Sequence, residues 1–454
     1  MSSASHLTFH GGVGTATGSN FLLEGGGVRI LVDCGLLQGV PGAERWNRRP
    51  FPYRPHEIDF LAVTHAHLDH IGLIPRLVKE GFRGVIYSTE AARSISEVMF
   101  EDAARILAEE AKALGLSPLY DLSDVRRTLS LWWPLEYHSA AALGGEFEIT
   151  LRDAGHILGS AMIEFKRDGR RILFTGDLGN SPAPLLKDVE MVTGSHYLVI
   201  ESVYGDRNHE PKEERQEKFK RAIESTIKKG GTLIVPAFSI ERTQVLLYEL
   251  NRLVEGHKIQ SLPVFLDSPL SIRVTKIYKN RRNFFKPSVL AEMAAGDDIF
   301  SFPGLKLTES GGSSRAIARV ANPKIIIAGS GMSEGGRVVS HEKIYLPDRR
   351  NTILLVGYQS VGTLGRLLAE GAREVLIDGE RVPVRAEVRV IYSYSSHMDS
   401  NHLVEFAARS AATLKEVFVV LGEPRASLFL TQRLRDYVGL NAVYPELGKI
   451  YELR

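Results

Sequence analysis

The chain has 454 residues, 44 % of them hydrophobic, which is too long for one ordinary domain and apolar enough for real cores in two or three. A formal net charge of +2 excludes a globally basic nucleic-acid surface, and a single cysteine, Cys34, excludes an internal disulfide. No stretch of about eighteen apolar residues and no basic-then-apolar leader is present, so the expectation is a cytoplasmic chain with no membrane partner.

From His6 to Asp33 short β-type runs alternate with glycines, which predicts strand, glycine-rich turn, strand, hairpin and strand, with Asp33 closing the run Val28 to Val32. The segment GGVGTATG (11 to 18) lacks the lysine of a triphosphate loop, and no helical pattern follows it. It is read as backbone passing close to a buried centre. Cys34, between Val32 and Leu36, is read as a packed small side chain. Asp33, a carboxylate leaving a buried strand, needs a donor, and a metal-bound histidine with a ring N–H is one.

The strand predicted at Phe60 to Val63 leads into THAHLDH, which sets His65, His67, Asp69 and His70 within six positions. Imidazole nitrogen and carboxylate oxygen are the ligands of zinc and similar divalent ions. Side chains two apart in an extended segment point the same way, so His65 and His67 grip one ion. After the turn at Leu68, Asp69 and His70 reach towards a second.

Helical spacing follows over Ile71 to Lys79 and from Glu90 through Ala113, with a short strand at Val85 to Ser88 and a further helix within Leu116 to Trp133. Trp132 and Trp133 are expected in the core. The strands Phe147 to Leu151, Ala161 to Phe165, Arg171 to Phe174 and Tyr197 to Ile200 are each followed or preceded by glycine turns, and they deliver His156, Asp177 and Glu201. Strands that release a ligand-type residue at one edge are how an open-edge metal site is built.

From about Gly205 the pattern becomes alternating helix and parallel-type strand, which predicts a separate α/β domain, 205–387, between a first part, 1–204, and a last part, 388–454. The last part again offers a histidine after a strand, His397 in YSSHMD, so the middle domain is read as an insertion. Leu270 to Phe285 is read as helical and EVLI (374 to 377) as one more strand. Within the insertion, Ser239, Arg242 and Thr243, and again Gly362, Thr363 and Arg366, stand at expected helix N-termini, where backbone N–H groups favour phosphate. Arg281 and Arg282 lie in a basic run with Tyr278, Phe284 and Phe285 interleaved, which suits a single-strand path with stacking positions. His341 is assigned a substrate or helix-surface role.

This inventory provisions two ions: His65, His67 and His156 for the first, Asp69 and His70 for the second, and Asp177 bridging. Two metals about 3.5–4 Å apart suit in-line displacement at phosphorus. His397 is the candidate general acid, with Glu201 to orient it.

At these residues the chain resembles the metallo-β-lactamase superfamily in its β-CASP nuclease branch. THAHLDH matches the HxHxDH signature, Asp33, His156 and Asp177 match its other motifs, and Glu201 in ESVYGD and His397 in YSSHMD match motifs of the branch. PAFSIERTQ, AGSGMSEGGR, VGYQSVGTLGR and VLGEP are similar to family segments as well. The resemblance implies an αββα sandwich of two mixed sheets with an inserted β-CASP domain, and no further RNA-binding module ahead of a first strand that begins by about Leu7. It implies nucleic acid held between the two domains, two zinc ions, and RNA phosphodiester hydrolysis by an endonuclease or a 5′-to-3′ exonuclease. Homodimers are common in such a branch. One position departs. RNA-cleaving members carry a histidine where this chain has Leu421, which implies a second ion that is weaker or replaced, manganese being one substitute, and makes DNA, or binding with lost catalysis, the alternative.

Overall fold

The structure is a computed structural model that describes residues 4–454, and it divides into two compact units. One contains the residues up to Asn208 together with His397–Arg454; the other is His209–Ser396. Among the described residues no helix is long and apolar enough to cross a membrane.

The first unit is built on two seven-stranded sheets. One runs in the order Ile450–Leu453, Ser5–Phe9, Phe21–Gly25, Val28–Val32, Phe60–Ala62, Val85–Ser88, Trp132–Pro134. Its first four strands pair antiparallel and the rest parallel. The other runs Ala442–Val443, Glu416–Val420, Tyr197–Glu201, Arg170–Phe174, Ala161–Arg167, Phe147–Asp153, Ala140–Gly144, and is parallel as far as Arg170–Phe174 and antiparallel beyond. Apolar residues of both sheets meet in one core: Phe9 lies 5.3 Å from Phe418 and Phe21 6.2 Å from Phe174, ring centre to ring centre.

Helices cover the outer faces, which completes the αββα sandwich. Ser400–Ala408 and Pro424–Val438 contribute Leu403, Phe406, Leu430 and Leu434 to a second core with Met162, Leu198 and Ile200. On the other sheet Phe100, from the helix Glu90–Leu114, packs on Trp132. That helix starts where Thr89 Oγ1 accepts the N–H of Ala92 at 3.1 Å, a cap worth about 1 kcal/mol, and stops at Gly115 in a left-handed conformation.

The expected helix within Leu116 to Trp133 is confined to Leu122–Ser130, where Asp121 and Asp124 form a capping box. The two tryptophans after it are an edge strand, so their side chains alternate: Trp132 is buried and Trp133 is exposed, against the expectation of two core residues.

The second unit holds a six-stranded sheet, all of whose pairings are parallel, in the order Leu305–Leu307, Val264–Asp267, Lys324–Ala328, Thr232–Pro236, Thr352–Val356, Glu387–Ile391. Every residue of the three strands Lys324–Ala328, Thr232–Pro236 and Thr352–Val356 is buried, as continuous β-branched and aliphatic runs require when helices cover both faces. Glu374–Ile377 does not join this sheet; it forms a separate hairpin with Glu380–Pro383.

The junction expected at 387/388 falls within the Glu387–Ile391 strand. That strand pairs along its length with Thr352–Val356, so the chain leaves the second unit only after Ser396. His397 then pairs with Gly179, and Asp399 with Tyr204, inside the first unit.

Candidate metal centre

The histidine segment leaves the Phe60–Ala62 strand at one edge of the first unit. His65 stands on the extended exit, His67 caps the short helix Leu68–Ile71, and Asp69 and His70 ride in its first turn. Asp33, at the end of the neighbouring strand, is fully buried and left-handed at φ 60°. Its Oδ1 accepts the Thr64 N–H at 2.8 Å, and its Oδ2 accepts Ser19 Oγ at 3.0 Å and His70 Nδ1 at 2.7 Å. That last bond assigns the His70 proton to Nδ1 and turns the Nε2 lone pair inward.

Backbone bonds join the loops from distant parts of the chain into one rim. Ala161 N–H donates to Thr64 O at 2.7 Å, Gly179 N–H to Ala154 O at 2.8 Å and Met398 N–H to Leu178 O at 2.8 Å. The glycine-rich segment runs beside them, with Ser19 N–H on Asp69 O at 2.9 Å. Gly35 passes so close to Asp69 that a β-carbon there would stand 1.6 Å from its carbonyl oxygen.

Four ligand atoms converge within 4.8 Å of one another. His65 Nε2 is 3.0 Å from His67 Nδ1, and His156 Nε2 is 3.3 Å from the same atom. Asp177 Oδ2 is 3.4 Å from both His65 Nε2 and His156 Nε2. A tetrahedron with ligands about 2.0–2.1 Å from its centre has edges of roughly 3.3–3.4 Å, so the set fits a divalent ion. On the other side of Asp177, Oδ1 and His70 Nε2 lie 3.4 Å apart, both buried and without a hydrogen-bond partner, and Asp69 Oδ2 is 4.0 Å from His70 Nε2. Burial disfavours a charged His70, but Asp177 and then Asp33 outweigh it and raise the ring well above the usual imidazole range, and a cation between these two atoms would replace the proton they otherwise share.

The electrostatics agree. Burial, with the His70 charge added, pushes His65 well below the usual imidazole range, which keeps it neutral as a ligand must be. Burial favours neutral Asp177, but the charges around it, that of His70 foremost, outweigh it and hold this carboxyl well below its ordinary range. Burial pushes Asp69 up to about 6.

Beside the ligands, His397 Nδ1 lies 3.3 Å from Glu201 Oε2 and 3.9 Å from Asp177 Oδ2. Glu201 is fully buried and accepts the Leu178 N–H at 2.6 Å. Burial works against a charged ring at His397, yet Glu201 and then Asp177 outweigh it and lift the imidazole to about 9.

Thr64, Ser19 and Tyr204 were not singled out by sequence. Thr64 Oγ1 bonds Asp33 at 2.9 Å and faces His65 Nδ1 at 3.1 Å; Tyr204 stacks on His397 at 6.3 Å. Thr64 had a signal, its place inside THAHLDH; Ser19 had none.

Leu421 ends the Glu416–Val420 strand, left-handed at φ 50° and 1 % exposed. Its N–H donates to Gly12 O at 2.7 Å, and its side chain belongs to the inter-sheet core. Cys34 is buried, and burial pushes its thiol up to about 12, so it packs as a small apolar group.

In the second unit the expected phosphate contacts separate. Ser239 is half-buried, with Ser271 Oγ 3.1 Å from its hydroxyl. Thr243 is buried and its hydroxyl donates to Phe238 O at 2.7 Å, so it pins the loop rather than presenting a donor. Arg242 is buried, its guanidinium 5.9 Å from the Tyr394 ring centre. Thr363 is buried as the cap of Leu364–Ala369, beside exposed Gly362, and Arg366 bonds Glu370 at 2.6 Å.

Arg282 is exposed and Arg281 half-buried, but Tyr278, Phe284 and Phe285 are all core residues, because the Pro269–Asn280 helix and the turn after it face them inward. The run therefore offers charge without stacking positions. His341 is buried as well, with Nε2 2.7 Å from Asp267 Oδ2, so it braces the fold instead of meeting solvent.

Comparison with known proteins places three family models on the chain. Metallo-beta-lactamase superfamily matches 13–237, Beta-Casp domain 243–368, and Zn-dependent metallo-hydrolase RNA specificity domain 381–445. The ribonuclease TTHA0252 of Thermus thermophilus is 37 % identical over 390 residues, covering 86 % of this chain and 88 % of the relative. The transcription termination factor FttA of Methanosarcina mazei is 31 % identical, over 93 % of this chain and 68 % of its own. An RNase J-like protein of Methanocaldococcus jannaschii is 29 % identical over 98 % and 99 %. A solved structure of a protein of unknown function from Enterococcus faecalis V583 shares the fold, with a TM-score of 0.57 at 12 % identity, over 99 % of this chain and 100 % of that one.

Proposed function

The chain belongs to the metallo-β-lactamase superfamily in its β-CASP branch, and we propose that it is a zinc-dependent ribonuclease that hydrolyses phosphodiester bonds of single-stranded RNA. The observation that carries the reading is the four-atom cluster of His65, His67, His156 and Asp177, set beside a histidine paired with a buried glutamate. Three imidazoles and one carboxylate are a donor set for zinc; the Asp69, His70 and Asp177 set, richer in oxygen, accepts zinc or manganese. Ions there supply Lewis acidity at the phosphoryl group and make water acidic enough to ionise near neutral pH.

The chain's own residues do the rest. Asp33 and Thr64 hold His70 and His65 in the ligating orientation. Asp177 stays ionised and faces both ligand sets. Glu201 faces Nδ1 of His397, so the protonated ring is oriented to donate from Nε2 to the oxygen that leaves phosphorus. Water's oxygen gives up one proton to solvent and bonds to phosphorus, the P–O bond to the leaving ribose breaks, the ribose oxygen takes the His397 proton, and solvent returns a proton to His397.

The test is cleavage of end-labelled single-stranded RNA, with DNA of the same sequence in parallel, in the presence of zinc or manganese. Asp177→Ala and His67→Ala are expected to lose bound metal and at least about 100-fold in rate. Unchanged cleavage in both variants would remove the metal mechanism, and cleavage of DNA alone would change the substrate.

A further inference from the structure

On the second unit we propose that Phe238 is a stacking platform for one unpaired base of the RNA, a role that rests on the ribonuclease reading. Phe238 follows the Thr232–Pro236 strand at the carboxyl end of the parallel sheet, where open α/β sheets receive ligands. It is 38 % exposed, whereas Phe265, Tyr278 and Phe285 of the same unit are buried.

The position of Gly331 shows which side of the ring is open. A β-carbon on Gly331 would stand 2.6 Å from Cδ2, 2.8 Å from Cε2 and 2.8 Å from Cγ of Phe238. An approach in the ring plane would leave the two neighbours of Cδ2 clearly farther than Cδ2 itself, so Gly331 lies over a face. One face of the ring therefore rests on backbone that only glycine permits, and the exposure belongs to the edge and the opposite face.

Both halves of this contact are fixed. The Phe238 carbonyl accepts the Thr243 N–H at 3.2 Å and the Thr243 hydroxyl at 2.7 Å, and Gln244 Nε2 donates to Ser239 O at 3.1 Å. Gly331 O accepts Gln359 Nε2 at 3.2 Å, and Met332 O accepts the Gly365 N–H at 3.0 Å. A ring carried on a pinned loop and backed on one face loses less side-chain freedom when a planar group covers it than a ring without such backing. Beside it the half-buried hydroxyl of Ser239 is of the donor and acceptor type that ribose and phosphate oxygens meet, and the buried hydroxyls of Ser271 and Ser268 back it in a chain 3.1 Å and 2.9 Å apart. A single backed ring beside one accessible hydroxyl matches one nucleobase and its backbone, since base stacking tolerates any sequence and contributes affinity one residue at a time.

The experiment uses the full, metal-loaded chain and single-stranded RNA oligonucleotides with 2-aminopurine at successive positions. The unaltered chain is expected to quench one position most strongly. Phe238→Leu keeps apolar weight on Gly331 but has no π-face, and should release that quenching and lower RNA affinity roughly tenfold; Phe238→Trp should restore both. Gly331→Ala, which pushes the ring from its seat, should behave as Phe238→Leu does, with metal content unchanged in all variants. Quenching and affinity in Phe238→Leu equal to those of the unaltered chain overturn the stacking role while RNA cleavage stands. Failure of the unaltered chain to bind or cleave RNA overturns both readings.

Discussion

His397, the proposed general acid, ties the proposed chemistry to pH. Burial disfavours its charged form, and Glu201 and Asp177 more than offset that, so the ring holds its proton up to about pH 9. A general acid works while protonated, so kcat is expected to fall as pH rises through about 9. In Glu201→Gln the carboxylate is gone and burial remains, so the alkaline limb should move to lower pH. A limb that stays in place would detach Glu201 from this role. Leu421 is the other deciding residue. Leu421→His places an imidazole in an apolar core and should cost the metal-free protein roughly 1–3 kcal/mol. The left-handed backbone there does not oppose histidine. If the new ring reaches the Asp69 and His70 set, added zinc should recover the thermal midpoint and raise tightly bound metal per chain. A midpoint that stays low with zinc would make Leu421 a core residue and nothing more.

At the scale of elements, strand ends do the work in both units. In the first, parallel neighbours Val28–Val32 and Phe60–Ala62 release Asp33 and the histidine segment side by side, and Arg170–Phe174 and Tyr197–Glu201 do the same for Asp177 and Glu201. The helix Pro269–Asn280 and the turn after it show the opposite case. Their aromatic residues pack inward while Lys279 pairs with Asp298 at 2.7 Å, with Arg281 half-buried and Arg282 exposed at the helix end. If the two arginines meet phosphates, changing both to glutamine should flatten the slope of log affinity against log salt by about 1.4, the value for two single-strand contacts. An unaltered slope assigns them to solvation.

At the scale of the molecule, the second unit interrupts the first. The ends of the interruption are held together within the first unit, with Ser400 N–H on Arg207 O at 3.0 Å and Asn401 N–H on Asn208 Oδ1 at 3.1 Å. Replacing 209–396 by a short glycine–serine link is therefore expected to leave a folded chain that binds metal through His65, His67, His156 and Asp177 but has lost most RNA affinity. Metal content by elemental analysis and RNA binding by anisotropy check the two halves; loss of metal along with RNA would show that the centre needs the second unit. Read alone, the sequence supplies the candidate ligand types, because the histidine cluster is local and the alternation of strand and glycine turn marks where each further candidate leaves a sheet. It also marked the insertion, through the change from mixed to alternating pattern near Gly205. Only the tertiary structure decided that His156, Asp177, Glu201 and His397 meet His65 and His67, that Tyr278, Phe284 and Phe285 turn inward, and that Phe238 turns out. The physical reason is that strand order and helix facing are set by long-range burial, and a residue's neighbours along the chain carry no record of which side of it the core will occupy.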